Sequence, residues 1–300
     1  MTVLNEMNNA ALELECTVIR NAPLCEYTSF KIGGPTDLLI KPDTVKKAAS
    51  LLNQCKLLDI PYFILGRGSN LVVSDAGFRG VVICTSELDS CEHKGDGVVE
   101  CGVGVKLSSL CKFVCEEGLS GLEFAYGIPG SVGGAVYMNA GAYNGEMKDV
   151  LLECDHIDTS FNVGTFEKQQ LELGYRNSVY KTNGYYITSA RMQLSYGNKK
   201  IVEERMNRFM NSRKEKQPLD LPSAGSVFKR PEGNYAGALI EMCKLKGYSV
   251  GRAKVSEKHA GFIVNTGQAT AEDVKKLIRF IQDTVFKKTG IALETEIEFL

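Results

Sequence analysis

Pro61-Tyr62-Phe63-Ile64-Leu65-Gly66-Arg67-Gly68-Ser69-Asn70 is the stretch on which the reading of this chain turns. Residues 61–65 form a short apolar run of strand length, and it leads straight into a loop with two glycines in three residues. Glycine permits backbone angles closed to other residues, so successive N–H groups can converge on an anion, with Ser69 and Asn70 adding side-chain hydrogen bonds. A phosphate cradle is the functional reading; a glycine-rich hairpin turn is the plain structural one. No Gly-Lys-Ser or Gly-Lys-Thr follows, and the three-glycine dinucleotide fingerprint is missing, so ATPase and Rossmann readings lose support.

Working outward, residues 3–19 read as an amphipathic helix and, with the irregular entry up to residue 32, as an N-terminal arm. Residues 37–41 read as a strand. Asp43 is placed to cap a helix whose apolar residues Val45, Ala48, Leu51, Leu52 and Cys55 share one face. The strand at 61–65 then completes a β-α-β opening. Strands are expected at 81–84 and 98–101, a helix at 107–117 ended by Gly118, and short strand-like runs such as 185–189 between residues 151 and 196. A charged helix over 201–216 stops before Pro218. The segments expected are 1–32, 33–198 and 199–300, the last an α+β unit. In that unit Thr270 and Asp273 open a helix in capping-box style, and Val274, Leu277, Ile278, Ile281 and Val285 line it. Gly290 stops it, and a final strand over 293–299 alternates Leu293, Thr295, Ile297 and Phe299 with Glu294, Glu296 and Glu298.

Composition bounds the rest. The 300 residues are 44% hydrophobic and 24% charged, and 35 basic against 36 acidic side chains leave a formal charge of −1. Bulk charge therefore gives no reason to propose a nucleic-acid or membrane partner. No apolar run approaches the ~18 residues of a membrane span. The first 19 residues hold Glu6, Glu13 and Glu15 and no basic side chain, the reverse of a secretory leader, so a cytoplasmic location is expected. Ten cysteines in a reducing compartment read as free thiols. Cys111 and Cys115 sit four apart on a helix, but without a third ligand at metal spacing they read as packing residues, and no metal is implied. His93 and His156 read as surface or strand residues.

A second glycine cluster, Gly127-Ile128-Pro129-Gly130-Ser131-Val132-Gly133-Gly134-Ala135, is followed by Met138-Asn139-Ala140-Gly141-Ala142. So many small residues let backbone approach a flat or charged ligand closely, and a helix starting after the glycines would present its positive end. Two such loops could hold a pyrophosphate. Further motifs are Tyr27-Thr28-Ser29-Phe30-Lys31-Ile32-Gly33-Gly34-Pro35, Gly174-Tyr175-Arg176-Asn177-Ser178, Ser223-Ala224-Gly225-Ser226-Val227-Phe228-Lys229 and His259-Ala260-Gly261-Phe262-Ile263-Val264-Asn265. In this order and spacing they resemble the UDP-N-acetylenolpyruvoylglucosamine reductase family over nearly the whole chain.

The resemblance implies an α+β fold: an FAD-binding domain of the vanillyl-alcohol-oxidase (PCMH) type in two subdomains, and a C-terminal substrate domain. It implies FAD held by Gly66, Arg67, Gly68, Ser69, Asn70 and Leu71, by Gly127, Ile128, Pro129, Gly130, Ser131, Gly133 and Gly134, by Asn139, Ala140 and Gly141, and by Arg213. NADPH would be the electron donor and UDP-N-acetylglucosamine enolpyruvate the substrate. Ser226 would deliver a proton, while Arg176 and Glu296 would stabilise an enolic intermediate; Glu296 is picked over Glu294 and Glu298 by its place before Ile297. Taken singly, each of the three has a plain structural reading as a turn serine, a surface cation and a solvated strand carboxylate. Lys216, Lys229 and Arg230 would contact substrate. Residues 205–216 support a diphosphate-bearing ligand, with Arg205, Arg208, Arg213, Lys214 and Lys216 against a single acid, Glu215. Several of these cations also suit the solvated face of a helix.

Two departures stand out. Arg230 occupies the place where many members of the family have asparagine. The short interval between Arg176 and Ser226 marks the subclass without an extra tyrosine-bearing loop, and Tyr235 is the candidate replacement for that tyrosine. The segment from Thr28 to Ile32 contains no histidine to tether flavin, so dissociable FAD is expected. His259 reads as a hydrogen-bonded structural residue. The competing functions are another flavin oxidoreductase of the same fold acting on an alcohol or sugar, and a non-catalytic sensor of flavin or nucleotide sugar. The sequence does not set the oligomeric state.

Overall fold

A computed structural model describes residues 2–300. The chain divides into two compact units. One comprises the N-terminal residues up to Arg20 with Asp37–Arg67 and Gly80–Asn211; the other comprises Asn21–Thr36, Gly68–Arg79 and Ser212–Leu300. These units do not coincide with the segments 1–32, 33–198 and 199–300. The second unit resumes at Ser212, inside the helix Lys199–Lys216, and two early stretches group with the C-terminal third. The reason is long-range bonding that local patterning does not report. Asn265 Nδ2 donates to Phe30 O at 3.1 Å, Ser29 Oγ donates to Ser223 O at 2.6 Å, and the strand Leu71–Val72 pairs in parallel with Glu298–Phe299.

The first unit has two cores. In one, strands Thr17–Pro23, Pro35–Lys41, Phe78–Cys84 and Tyr62–Leu65 lie in that order. Tyr62–Leu65 runs parallel to Phe78–Cys84. Helices Val3–Glu13 and Val45–Leu57 supply Met7, Ala11, Leu51, Leu52 and Cys55 to the core, against Leu38, Ile40, Val81 and Ile83. The stripe read on residues 45–55 is thus the buried one. The helix predicted for 3–19 ends at Glu13 instead, because Glu15 turns left-handed at φ 55° and the β-branched run Thr17-Val18-Ile19 continues as strand. The second helix is capped by Thr44, whose hydroxyl accepts from Lys47 N, and not by Asp43, which pairs with the Lys47 ammonium at 3.0 Å.

The other core of this unit surrounds an antiparallel sheet in the order Val163–Glu167, Leu151–Ile157, Tyr186–Gln193, Val98–Gly102, Cys91–Gly95. Helices Leu107–Glu116 and Val132–Tyr137 contribute Leu110, Cys111, Val114, Cys115 and Val136, so Cys111 and Cys115 are packing residues. Truncating a fully buried leucine such as Leu110 would cost about 2–5 kcal/mol. Gly118 takes φ 70° just past the helix end, as the sequence predicts. His156 lies in a strand and is buried, against Phe166 and Tyr185.

The second unit is an antiparallel sheet, Ser223–Ser226, Phe262–Asn265, Ala253–Val255 and Ser249–Val250 in that order. Its core draws Val274, Leu277, Ile278, Ile281 and Val285 from the helix Ala271–Thr289, the stripe read from sequence. Thr270 and Asp273 form the capping box and Gly290 closes the helix at φ 72°. The final strand is shorter than expected. Strand pairing is confined to Glu298–Phe299 with one bridge at Thr295; Leu293 and Ile297 are buried, but Phe299 is exposed. Among the described residues no helix is long and apolar enough to cross a membrane.

Candidate active site

In the first unit both glycine segments meet the stretch 103–107. Arg67 Nη2 donates to Gly104 O at 3.4 Å, Gly133 N and Val132 N donate to Val103 O and Val105 O at 3.0 and 2.9 Å, and Leu107 N donates to Gly130 O at 3.2 Å. Gly133 has to be glycine for this approach, since a Cβ there would lie 2.8 Å from Val103 Cβ. A Cβ on Gly66 would lie 2.7 Å from Ser131 Oγ, so the first loop passes directly beside that buried serine.

Ser131 Oγ and Arg67 Nε are both buried and find no hydrogen-bond partner among the described residues. A buried donor left this way costs about 1–3 kcal/mol unless a ligand satisfies it. Phosphate oxygens accept from both a hydroxyl and a guanidinium N–H. The residues therefore fit the diphosphate of a dinucleotide such as FAD. Gly127 and Gly130 take φ 88° and 133°, which bends this loop, while Pro129 and Gly134 are exposed. Ala140 and Gly141 follow the helix Val132–Tyr137 into a hairpin, where a Cβ on Gly141 would lie 2.7 Å from Glu146 Cβ.

Arg176 occupies the second corner of a tight turn. Gly174 N donates to Asn177 O at 3.1 Å and Asn177 N to Gly174 O at 3.2 Å, with Arg176 at φ 53° and its Cζ 5.3 Å from the Tyr175 ring centroid. Asn139, expected at the cofactor, instead has its fully buried side chain committed to protein and not available to FAD: Nδ2 donates to Glu146 Oε2 at 2.6 Å and to Gly174 O at 2.9 Å, and Oδ1 accepts from Lys148 N at 2.9 Å.

In the second unit Gly68 takes φ 56°, and a Cβ on it would lie 2.4 Å from Tyr27 O. Ser29 N donates to Gly68 O at 3.1 Å, which ties the motif at 27–35 to the loop. Asn70 Nδ2 donates to Glu296 O at 3.0 Å, Glu298 N donates to Asn70 O at 2.9 Å, and Glu296 N donates to Val227 O at 2.8 Å. Glu296 is thereby bonded to Val227, the residue after Ser226, and Asn70 donates its amide to the backbone of Glu296. Leu71 is buried in the strand that pairs with Glu298–Phe299, and Ser69 is half-buried.

Ser226 follows Gly225 at φ 80° and sits at an irregularity in the pairing with Phe262–Asn265; its Oγ donates to Phe228 O at 3.3 Å. Lys229 Nζ lies 3.1 Å from Glu294 Oε2, an exposed pair of small energetic weight. A Cβ on Gly261 would lie 3.5 Å from Ser226 Oγ and 3.0 Å from His259 Cε1, so serine and imidazole flank one glycine. Burial pushes the His259 pKa down, and its Nδ1 accepts from Gly261 N at 3.1 Å, which places the ring proton on Nε2.

Arg213 is buried at 6% exposure, whereas Lys214 and Lys216 near it on the helix are exposed. Arg205 pairs with Glu123 at 3.7 Å while half-exposed, a surface role. Arg230 and Tyr235 come together, with Cζ 4.3 Å from the ring centroid. The sequence reading assigned no role to Ser29 or Asn265. Asn265 is buried, donates to Phe30 O and accepts from Gly267 N and Ala269 N at 2.9 and 3.0 Å. The available signal was that both lie inside motifs quoted for the resemblance; their partners lie too far along the chain for local patterning.

Comparison with known proteins bears on the same residues. Residues 36–160 match a family described as FAD binding domain, and residues 217–300 match the C-terminal domain of UDP-N-acetylenolpyruvoylglucosamine reductase. A protein of that name from Clostridium novyi (strain NT) is 44% identical over 297 residues, covering 99% of this chain and 96% of its own length. One from Clostridium botulinum (strain Hall / ATCC 3502 / NCTC 13319 / Type A) is 45% identical over 302 residues, covering 99% and 98%. The crystal structure of UDP-N-acetylenolpyruvylglucosamine reductase (MurB) from Thermus caldophilus superposes with a TM-score of 0.80 at 35% identity, covering 95% of this chain and 98% of that one. Physcomitrella patens BBE-like 1 shares the fold alone, with a TM-score of 0.50 at 12% identity over 63% of this chain and 44% of that one. With the glycine loops, the Ser226 irregularity and the Glu296 segment all inside one full-length match, this chain belongs to the UDP-N-acetylenolpyruvoylglucosamine reductase family, as an FAD-dependent oxidoreductase.

Proposed function

We propose that the protein reduces UDP-N-acetylglucosamine enolpyruvate to UDP-N-acetylmuramate with electrons from NADPH, in the cytoplasm, as a step of peptidoglycan precursor synthesis. The observation that carries this reading is the bond from Glu296 N to Val227 O at 2.8 Å in the second unit, which ties Glu296 to the residue that follows Ser226. Reduction of an enol ether beside a carboxylate needs a hydride at one carbon, stabilised charge on the carboxylate side and a proton for the neighbouring carbon. FAD, when bound, supplies the hydride and accepts electrons from NADPH; Arg67 and Ser131 would hold its diphosphate together with the backbone of the two glycine loops.

Ser226 holds the proton on Oγ. A serine hydroxyl is a weak acid, suited to protonating a strongly basic carbanion-like carbon. Arg176 supplies a fixed cation for the developing charge, where preorganised charge acts most strongly. Glu296 shares that role. Lys216, Lys229 and Arg230 would meet the charged end of the nucleotide sugar. Ten unpaired cysteines favour a reducing compartment.

The test is an anaerobic visible spectrum of the purified protein, reduced with one equivalent of NADPH and mixed with UDP-N-acetylglucosamine enolpyruvate. Rapid return of the oxidised flavin band is expected. A flavin that bleaches and stays bleached would move the substrate elsewhere, and a flavin that NADPH does not bleach would remove the electron donor.

A further inference from the structure

The segments 127–141 and 174–178 are separate motifs in sequence, and within the first unit Asn139 joins them. Asn139 is fully buried and takes φ 42° just beyond the helix Val132–Tyr137. Its amide orientation is set by chemistry. The Glu146 carboxylate and the Gly174 carbonyl can only accept, and they take both Nδ2 hydrogens; Lys148 N can only donate, and it takes Oδ1. Glu146 is held in turn, its Oε1 2.6 Å from Lys148 Nζ.

The Gly174 carbonyl that Asn139 grips also accepts Asn177 N and so closes the turn carrying Arg176. Immediately after the turn, Ser178 Oγ donates to Tyr137 O at 2.8 Å. The turn is therefore fastened on both sides to residues 137–139. It needs fastening, because Arg176 at φ 53° occupies the left-handed region that disfavours a side chain. Opening of the turn would relieve that conformation and leave the guanidinium without a fixed position.

We propose that Asn139 is a positioning residue for Arg176: its hydrogen bond to Gly174 O holds the turn in the conformation that presents the guanidinium to the reacting substrate. This rests on the reading of Arg176 as the cation that steadies the enolic intermediate. Asn139 then acts in the half-reaction that consumes substrate and has no part in the reduction of flavin by NADPH.

The experiment follows the two half-reactions by anaerobic stopped-flow absorbance in the FAD-loaded full chain, for wild type, Asn139→Ala, Arg176→Ala and the double variant. Asn139→Ala is expected to keep its flavin and be reduced by NADPH at the wild-type rate. Its reoxidation by UDP-N-acetylglucosamine enolpyruvate should slow about tenfold or more in the limiting rate, with little change in the half-saturating concentration. The double variant should reoxidise no more slowly than Arg176→Ala alone, since the strut has nothing left to position. Normal reoxidation in Asn139→Ala beside a slow Arg176→Ala would overturn the proposal alone, as would a double variant showing the product of both single effects. Normal reoxidation in Arg176→Ala would remove the role of that arginine and the proposal with it. Should the alanine variant lose flavin, Asn139→Gly, which suits the backbone at φ 42° and also gives up both donors, is held to the same outcomes.

Discussion

Arg176 sits where glycine is the ordinary occupant, and a left-handed non-glycine residue costs about 1–2 kcal/mol. Strain kept at one residue points to a use for its side chain. Arg176→Gly separates the two. Relief of strain, partly offset by the greater freedom of glycine in the unfolded chain, should leave Tm equal or slightly raised. Reoxidation by substrate should fall by about 10²-fold or more, since a preorganised cation is lost. A thermal melt beside stopped-flow absorbance checks both, and a variant that reoxidises normally would detach the strain from catalysis. Ser226→Ala asks a cleaner question of proton transfer. Flavin reduction by NADPH should survive while reoxidation drops by orders of magnitude; equal loss in both halves would make the serine a support for flavin binding instead. Ser226 and Arg176 could be selected from sequence because they sit in short motifs. The strut from Asn139 could not, because its partner carbonyl lies 35 residues away.

At the scale of elements, what the sequence made readable is what is local. The helix Ala271–Thr289 is bounded as its sequence says, because Thr270 and Asp273 satisfy each other's backbone within one turn. The helix predicted for 3–19 failed where no glycine or proline announces the left-handed turn at Glu15. The capping box also titrates. Partial burial pushes the Asp273 pKa up, but the N–H groups of Thr270 and Arg252 outweigh it, and the carboxyl is held below the usual carboxylate range. A depressed carboxyl contributes stability that is present above its unfolded pKa and lost as pH falls through the folded one. Thr270→Ala should cost about 1 kcal/mol at neutral pH, read as a lower urea midpoint. Wild type should lose more stability than Asp273→Asn as pH drops below about 4, where unperturbed aspartate titrates. Parallel pH profiles for the two would place the depressed carboxyl elsewhere. The loop at Gly68 supplies an opposite kind of test. Gly68→Val forces a Cβ toward Tyr27 O from a left-handed backbone, so purified protein should carry much less flavin per chain; full flavin content would take Gly68 out of the cradle.

For the molecule as a whole, two compact units drawn from interleaved stretches are the feature that sequence left hidden, since residues 21–36 and 68–79 carry no compositional mark of the unit they join. Cysteine distribution, by contrast, reads directly from composition into behaviour. All ten thiols are free; eight are buried, and Cys25 and Cys91 are half-exposed. Burial raises the thiol pKa because the thiolate is the form that loses hydration. It pushes Cys55 and Cys111 up to about 12 and Cys91 up to about 11, the last with help from Glu117. The thiolate is the reactive species, so a half-exposed thiol with a raised pKa is still slow. Titration of the folded protein with a chromogenic disulfide at pH 8 should therefore show one fast thiol, Cys25, and a slow one, Cys91, with all ten appearing after denaturation. Cys25→Ser should delete the fast phase without changing the flavin spectrum. Several fast thiols in the folded protein would mean that the cores open on the timescale of labelling, and that the packing assigned to Cys111 and Cys115 does not hold them shut.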